Sequence, residues 1–233
     1  MTTIAGATVL VTGGSRGLGR ALVEGLYERG AKKVYATARD AATVTHPDAV
    51  ALALEVTDPA SVAAAAEQAQ DVTILVNNAG RAISADFLND PVDDVRGDFE
   101  TNFYGPLLTA RAFVPIIERN GGGHLLNVHS VLSWIALSGS YSASKAALWS
   151  QTNALRLALK PRGITVTGLH VGYIDTDMAA HVDGPKSRPQ DVARQALDGI
   201  EADAYEVLAD DLSRRVKGGL AADLTALYPQ LAD

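Results

Sequence analysis

Short, nearly continuous apolar runs alternate along this chain with longer segments of helical pattern, and that alternation constrains its fold most. A strand covered on both faces reads as an unbroken apolar run, and strands separated by helices pair in parallel through βαβ crossovers. Residues 7–12 read as a first strand and 18–29 as a first helix. Strands at 33–38 and 50–54 follow, then an alanine-rich helix at 61–70, with Asp58-Pro59 supplying a cap and a first-turn proline. Residues 72–76 read as a fourth strand, and 92–104 and 107–119 as two helices. Gly121-Gly122-Gly123 breaks the pattern before a fifth strand at 124–128 and a long helix at 140–159. Pro161-Arg162-Gly163 ends that helix. A strand at 164–170, a helix at 189–200, a short strand at 206–208 and a helical stretch at 212–227, interrupted at Gly218-Gly219, close the chain. The pattern predicts an α/β fold: one doubly wound parallel sheet of about seven strands with helices on both faces. No linker, repeat or low-complexity stretch divides it, so residues 1–233 read as a single domain.

Composition narrows the partners. The chain is 47% hydrophobic and 20% charged, enough for a substantial core. A net charge of −7 without a basic run argues against nucleic acid and anionic membranes. With no cysteine, disulfide and thiolate chemistry are excluded, and the five histidines lack a metal-ligand spacing, so no metal is expected. The opening residues lack the basic and apolar regions of a signal peptide, and no apolar stretch approaches a membrane span. The expected location is the cytoplasm.

In doubly wound sheets, ligands bind beyond the carboxyl ends of the strands, so the turns there carry the chemistry. After the first strand comes Thr12-Gly13-Gly14-Ser15-Arg16-Gly17-Leu18-Gly19. Its glycines permit a tight turn and close backbone approach, and the helix that follows offers unpaired N–H groups to a pyrophosphate. The spacing differs from the common G-x-G-x-x-G. Where an NAD site usually places an acid, at the end of the second strand, this chain has Ala38 followed by Arg39. Arg16 and Arg39 together favour a 2′-phosphate, and so NADP(H) over NAD(H). Asp40 is the competing feature, since a shift of one residue in register puts an acid near the ribose.

Tyr141 and Lys145 stand four apart at the start of the long helix, on one face. An ammonium beside a phenol favours the phenolate, which predicts a tyrosine tuned toward neutrality and able to exchange a proton with a carbonyl or alcohol oxygen.

Together these motifs resemble the short-chain dehydrogenase/reductase family in its smaller form. The resemblance covers nearly the whole chain in order: the 12–19 turn, Asn77-Asn78-Ala79-Gly80, Asn102, Ser130, Tyr141-x3-Lys145 and Gly172-Tyr173-Ile174-Asp175-Thr176. It implies a Rossmann-type fold, with Tyr141 as general acid/base and Lys145 tuning it and binding the nicotinamide ribose. Ser130 would hold the substrate oxygen, and Asn102 a water linking Lys145 to solvent. The turn from Gly13 through Ser15, Arg16, Gly17 and Leu18 to Gly19 would cradle the cofactor, with Arg39 beside it. Asn78, Ala79 and Gly80 would line its path, and Gly172, Ile174 and Thr176 would meet the nicotinamide end. Such a site would reduce ketones and aldehydes with NADPH, or oxidise alcohols in reverse.

The chain departs from the family pattern in places. Glu55-Val56 stands where an aspartate or asparagine often contacts the adenine, so Glu55 either reaches the base or turns to solvent. Val171 replaces a common proline before Gly172. The segment from Ser130 to Tyr141 is short, leaving Ser133 and Ser138 as alternative donors. His129 reads as buried packing at the strand end. Trp134, Ile135, Leu137, Tyr173 and Met178 are expected as an apolar wall under a short cover, suited to small or aromatic ketones and aldehydes. Alanines at 143, 146, 147, 154 and 158 let another helix approach the long helix closely, and since its counterpart in the family packs against its own copy, the resemblance implies a homo-oligomer, dimer or tetramer. Imine or enoyl reduction on the same scaffold, and a non-catalytic NADP(H)-binding sensor, are the competing functions.

Overall fold

The computed structural model describes residues 1–232. Its centre is a seven-stranded sheet in the order β3-β2-β1-β4-β5-β6-β7, with every pairing parallel. The strands are β1 (Thr8–Val11), β2 (Lys33–Ala38), β3 (Val50–Ala53), β4 (Ile74–Asn77), β5 (Gly123–Val128), β6 (Ile164–His170) and β7 (Glu206–Leu208). The helices are α1 (Gly17–Glu28), α2 (Pro59–Gln68), α3 (Val92–Phe99), α4 (Gly105–Arg119), α5 (Gly139–Leu159), α6 (Pro189–Glu201), α7 (Asp211–Gly219) and α8 (Leu224–Leu227). No helix among the described residues is long and apolar enough to cross a membrane.

Strand alternation divides the core into two layers. Val9 and Val11 face α1 and α6, packing with Leu22, Leu26, Leu197 and Ile200. Leu10 points the other way, joining Val62, Phe113, Ile117, Leu125 and Leu159 under α2, α4 and α5. Each such fully buried side chain stabilises the fold by roughly 1.5–3 kcal/mol.

Three differences from the expected elements have local causes. β4 extends through Asn77, because its polar side chain is satisfied across the sheet: Asn77 Nδ2 donates to Asn127 Oδ1 (2.9 Å) and Oδ1 accepts from Thr109 (2.7 Å). The expected break near Tyr104-Gly105-Pro106 is instead a π-helical turn, Glu100–Tyr104, joining α3 to α4. Pro106 falls in the first turn of α4, where its missing N–H is no loss. The closing helical stretch divides after Gly219 into α7 and α8. Strand order reverses at β1, between β2 and β4, so the crevice opens above the ends of β1 and β4.

Candidate active site

The 12–19 turn leaves the end of β1 at that reversal. A Cβ on Gly14 would lie 3.1 Å from Ala36 Cβ, and one on Gly19 would overlap the Gly13 carbonyl oxygen, so the turn closes only around glycine. Arg16, the residue before α1, makes no side-chain cap, and the first helical turn carries no acid. That end of α1 suits an anion. Thr12 braces the turn from below. Its Oγ1 accepts from the N–H groups of Asn78 (2.9 Å) and Ala79 (3.0 Å), tying the end of β1 to the end of β4.

Several expected cofactor residues prove to shape this cradle. Asn78 was expected along the cofactor's path, but both its amide hydrogens go to the turn, on the Thr12 and Gly13 carbonyls (2.9 and 3.1 Å). Leu18 and Val56 are 6% exposed, so their side chains belong to the core and only backbone remains for a ligand. Glu55 does not reach out from the third strand: its Oε1 folds back onto the Thr57 N–H and hydroxyl (3.2 and 3.0 Å), bracing the turn into α2. Gly80 passes close to the lysine, where a Cβ would stand 3.7 Å from Lys145 Nζ. Arg39 is exposed just beyond β2. Asp40 caps the short turn that follows, accepting from the Ala42 N–H at 3.0 Å. Arg16 reaches over the cradle to Asp177, with Nη1 3.2 Å from its carboxylate.

The segment after β6 closes the far side. The Gly172 N–H donates to Asp210 (2.6 Å), whose other oxygen caps α7 through the Ser213 N–H (2.7 Å). Ile174 forms an isolated parallel bridge with Ser187, and the Thr176 methyl would touch a Cβ on Gly17 at 3.0 Å. Tyr173 and Met178, on and just beyond this segment, are each 48% exposed.

Tyr141 and Lys145 lie in the first turns of α5. Ser130, at the end of β5, faces the Tyr141 hydroxyl and favours its ionised form. The other serines are committed elsewhere: Ser133 Oγ accepts from the Ser130 N–H (3.3 Å), and Ser138 donates to Ser84 (2.7 Å). Despite the short loop, Ser130 is therefore the serine that meets the tyrosine. Asn102 sits wholly buried in the π turn, where Oδ1 accepts from the Arg81 N–H (3.0 Å) and Nδ2 donates to Arg81 O (2.8 Å) and Ser144 Oγ (3.0 Å).

The electrostatics correct the sequence expectation for the pair. Lys145 Nζ donates to the Val128 carbonyl (2.9 Å) and lies 5.8 Å from the centre of the Tyr141 ring. Burial pushes the Tyr141 phenol up to about 12, with the Asp98 carboxylate and Tyr173 acting in the same direction and Ser130 opposing them. Burial draws Lys145 down to about 8, and the charge of Asp98 partly restores it. Desolvation of the phenolate outweighs the field of an ammonium held on a carbonyl, so the phenol keeps its proton at neutral pH.

Trp134 is the clearest misplacement. Expected on the substrate wall, it instead stacks on His170 at 4.0 Å, with Trp149 edge-on and Lys217 over its ring. His129 stacks on the other histidine at 4.6 Å and is 2% exposed, buried as packing behind Ser130. Residues that sequence reasoning passed over are Thr12, Asp98 and Asp210. Only Asp98 left a signal, an acid four residues before Asn102 and so on its helical face.

The short chain dehydrogenase family profile matches residues 7–186. A short chain dehydrogenase from Burkholderia cenocepacia J2315, solved in complex with NADP, superposes with a TM-score of 0.93 at 37% identity over 99% of each chain. A ketoacyl reductase of Nostoc sp. is 31% identical over 231 residues, 90% of this chain and 80% of its own. NADPH-bound carbonyl reductase from chicken fatty liver superposes with a TM-score of 0.79 at 27% identity, over 88% of this chain and all of that one. The matched region runs from the first strand to Lys186, through β6 and the segment after it, and the chain belongs to the short-chain dehydrogenase family.

Proposed function

We propose that this protein reduces ketones and aldehydes with NADPH, and oxidises the corresponding alcohols in reverse. The observation that carries this reading is the Ser130 hydroxyl facing that of Tyr141, beside Lys145 and the close backbone of Gly80. The nicotinamide, when bound, supplies the hydride. Backbone N–H groups at the start of α1 hold the phosphates, and Lys145 binds the ribose hydroxyls. Ser130 donates a hydrogen bond to the substrate oxygen, where negative charge develops. Tyr141 delivers the proton, a role suited to a phenol that burial keeps protonated. Asn102 fixes the backbone at Arg81 and keeps a second Oδ1 lone pair that would accept from a relaying water.

Exposed Arg16 and Arg39, with Asp40 committed to a turn, support NADP(H) as the cofactor. The NADP and NADPH complexes of the Burkholderia and chicken relatives support it too. Half-exposed Tyr173 and Met178 support small or aromatic substrates. The same reading makes the chain one catalytic domain that works in the cytoplasm as a homo-oligomer packed through α5, where Leu157 is 82% exposed.

Loss of NADPH absorbance across ketone, aldehyde, imine and enone panels tests the reading. Tyr141→Phe is expected to slow carbonyl turnover by about 10²–10⁴-fold while leaving NADPH binding intact. Undiminished turnover in that variant, or turnover of imines or enones alone, would refute it.

A further inference from the structure

The first turn of α5 is held by a buried acid on another helix. Asp98 is the one buried residue of α3, and it is wholly inaccessible. Its carboxylate meets three donors: the Ile83 N–H (3.0 Å), the Ser84 N–H (3.1 Å) and the Ser140 hydroxyl (2.6 Å). Ser140 completes the clamp. Its Oγ accepts from the Ala85 N–H (2.9 Å), and its own N–H donates to Ala85 O (3.0 Å). Next to it, Gly139 has a φ of +43°, and a Cβ there would overlap the Ala85 carbonyl. The loop after β4 and the start of α5 are thus in main-chain contact, with Asp98 as the buried hub.

Tyr141 follows Ser140 directly, so whatever fixes Ser140 fixes the phenol. The segment from Ser130 to Tyr141 is short and largely irregular, with one 3₁₀ turn at Val131–Ser133, and places little structure of its own on the helix start. We propose that Asp98 is a positioning residue of the acid/base site: through Ser140 it clamps the first turn of α5, and its buried charge supports the Lys145 ammonium five residues further along that helix. This rests on the carbonyl-reductase reading above.

The charges around Lys145 are few. α3 contributes Asp98, α5 contributes Tyr141, β5 contributes the Val128 carbonyl, and just past it stands His129, which burial keeps neutral. Tyr173 approaches Tyr141 from the segment after β6. Asp98 raises this buried lysine against the larger pull of burial. A buried amine without such a counter-charge loses its proton, and with it the charge that would hold the ribose hydroxyls.

Asp98→Asn tests both parts. The midpoint of Lys145 is read by NMR of ¹³Cε-lysine in the apo protein, its signal assigned by its loss in Lys145→Arg. It is expected to fall by about half a unit or more from its position near 8. The rate deficit for ketone reduction should then widen as pH rises from about 6.5 to 8, following the same midpoint. An unmoved midpoint, or a deficit equal at every pH, overturns the electrostatic role. Ser140→Ala keeps the carboxylate and both amide donors, and carries the test if Asp98→Asn does not fold. It should lower kcat about tenfold or more with NADPH affinity held, and unchanged kcat overturns the clamp. The titration needs no turnover. A shifted midpoint in a protein inactive on every ketone would therefore refute the reductase reading and leave Asp98 in place.

Discussion

Replacing Thr12 with valine tests how the cofactor turn is held. Valine matches threonine in shape, so the change removes one oxygen and little volume. That oxygen, on a side chain 1% exposed, accepts from the backbone N–H groups of Asn78 at 2.9 Å and Ala79 at 3.0 Å. A buried donor left unpaired costs about 1–3 kcal/mol, so two predict a loss of about 2–6 kcal/mol. For a chain of this size each kcal/mol lowers Tm by about 2–4 °C, giving a fall of roughly 4–24 °C. Thr12→Ser is the control: it keeps the oxygen, loses one buried methyl and should cost about 1 kcal/mol. Urea unfolding and calorimetry at one fixed protein concentration read the difference, since assembly would shift Tm by mass action. NADPH affinity should fall more in the valine variant, whose strand ends are no longer tied. If valine and serine variants agree within about 0.5 kcal/mol, the two bonds contribute nothing and the account of the turn is wrong.

Gly19→Ala should abolish measurable NADPH binding, because the new methyl meets the Gly13 carbonyl and the Asn78 amide rather than a side chain that can swing away; a variant that still binds within tenfold would show that the turn has slack. Arg39→Ala should weaken NADPH by roughly 10–100-fold and NADH little, as loss of a charge-assisted bond predicts; equal effects on both would remove the 2′-phosphate from its role. Lys145→Met should end turnover yet raise stability at pH 7 by about 1–3 kcal/mol, since the buried lysine sits near 8 when folded and near its ordinary 10.5 when unfolded. The unfolded chain binds the extra proton between those values, so wild-type stability rises with pH through that window and the advantage of methionine shrinks; denaturation curves at pH 7 and 10 would expose a constant difference.

Periodicity made the fold readable. β2 and β6 run over the residues that apolar patterning indicates, because each is a largely buried run, and the short, half-buried β7 falls where expected too. β4 was misjudged at both ends, since Asn77 ends it as a polar residue satisfied only across the sheet. The π turn at Glu100–Tyr104 lies inside a stretch that patterning reads as plain helix to Tyr104, because periodicity does not distinguish one kind of helical turn from another. Site residues were recognisable by type and order, but their partners were not. Asn78 and Glu55 have the chemistry of ligand contacts, yet Asn78 is spent across the crevice on the turn after β1 and Glu55 turns back on its own loop, and the neighbours of Trp134 are His170 and Trp149 rather than a substrate wall.

The sequence by itself determined which atoms the site has: the glycines of the cradle, a tyrosine and lysine one helical turn apart, and a serine at a strand end. These follow from local rules of spacing and backbone freedom. Only the tertiary structure decided how those atoms behave. Burial sets the phenol high and the lysine low, the short loop still brings Ser130 to Tyr141, and Asp98 enters from a helix some forty residues earlier. Desolvation and long-range charge depend on what packs around a group, and that is decided by parts of the chain far away in sequence.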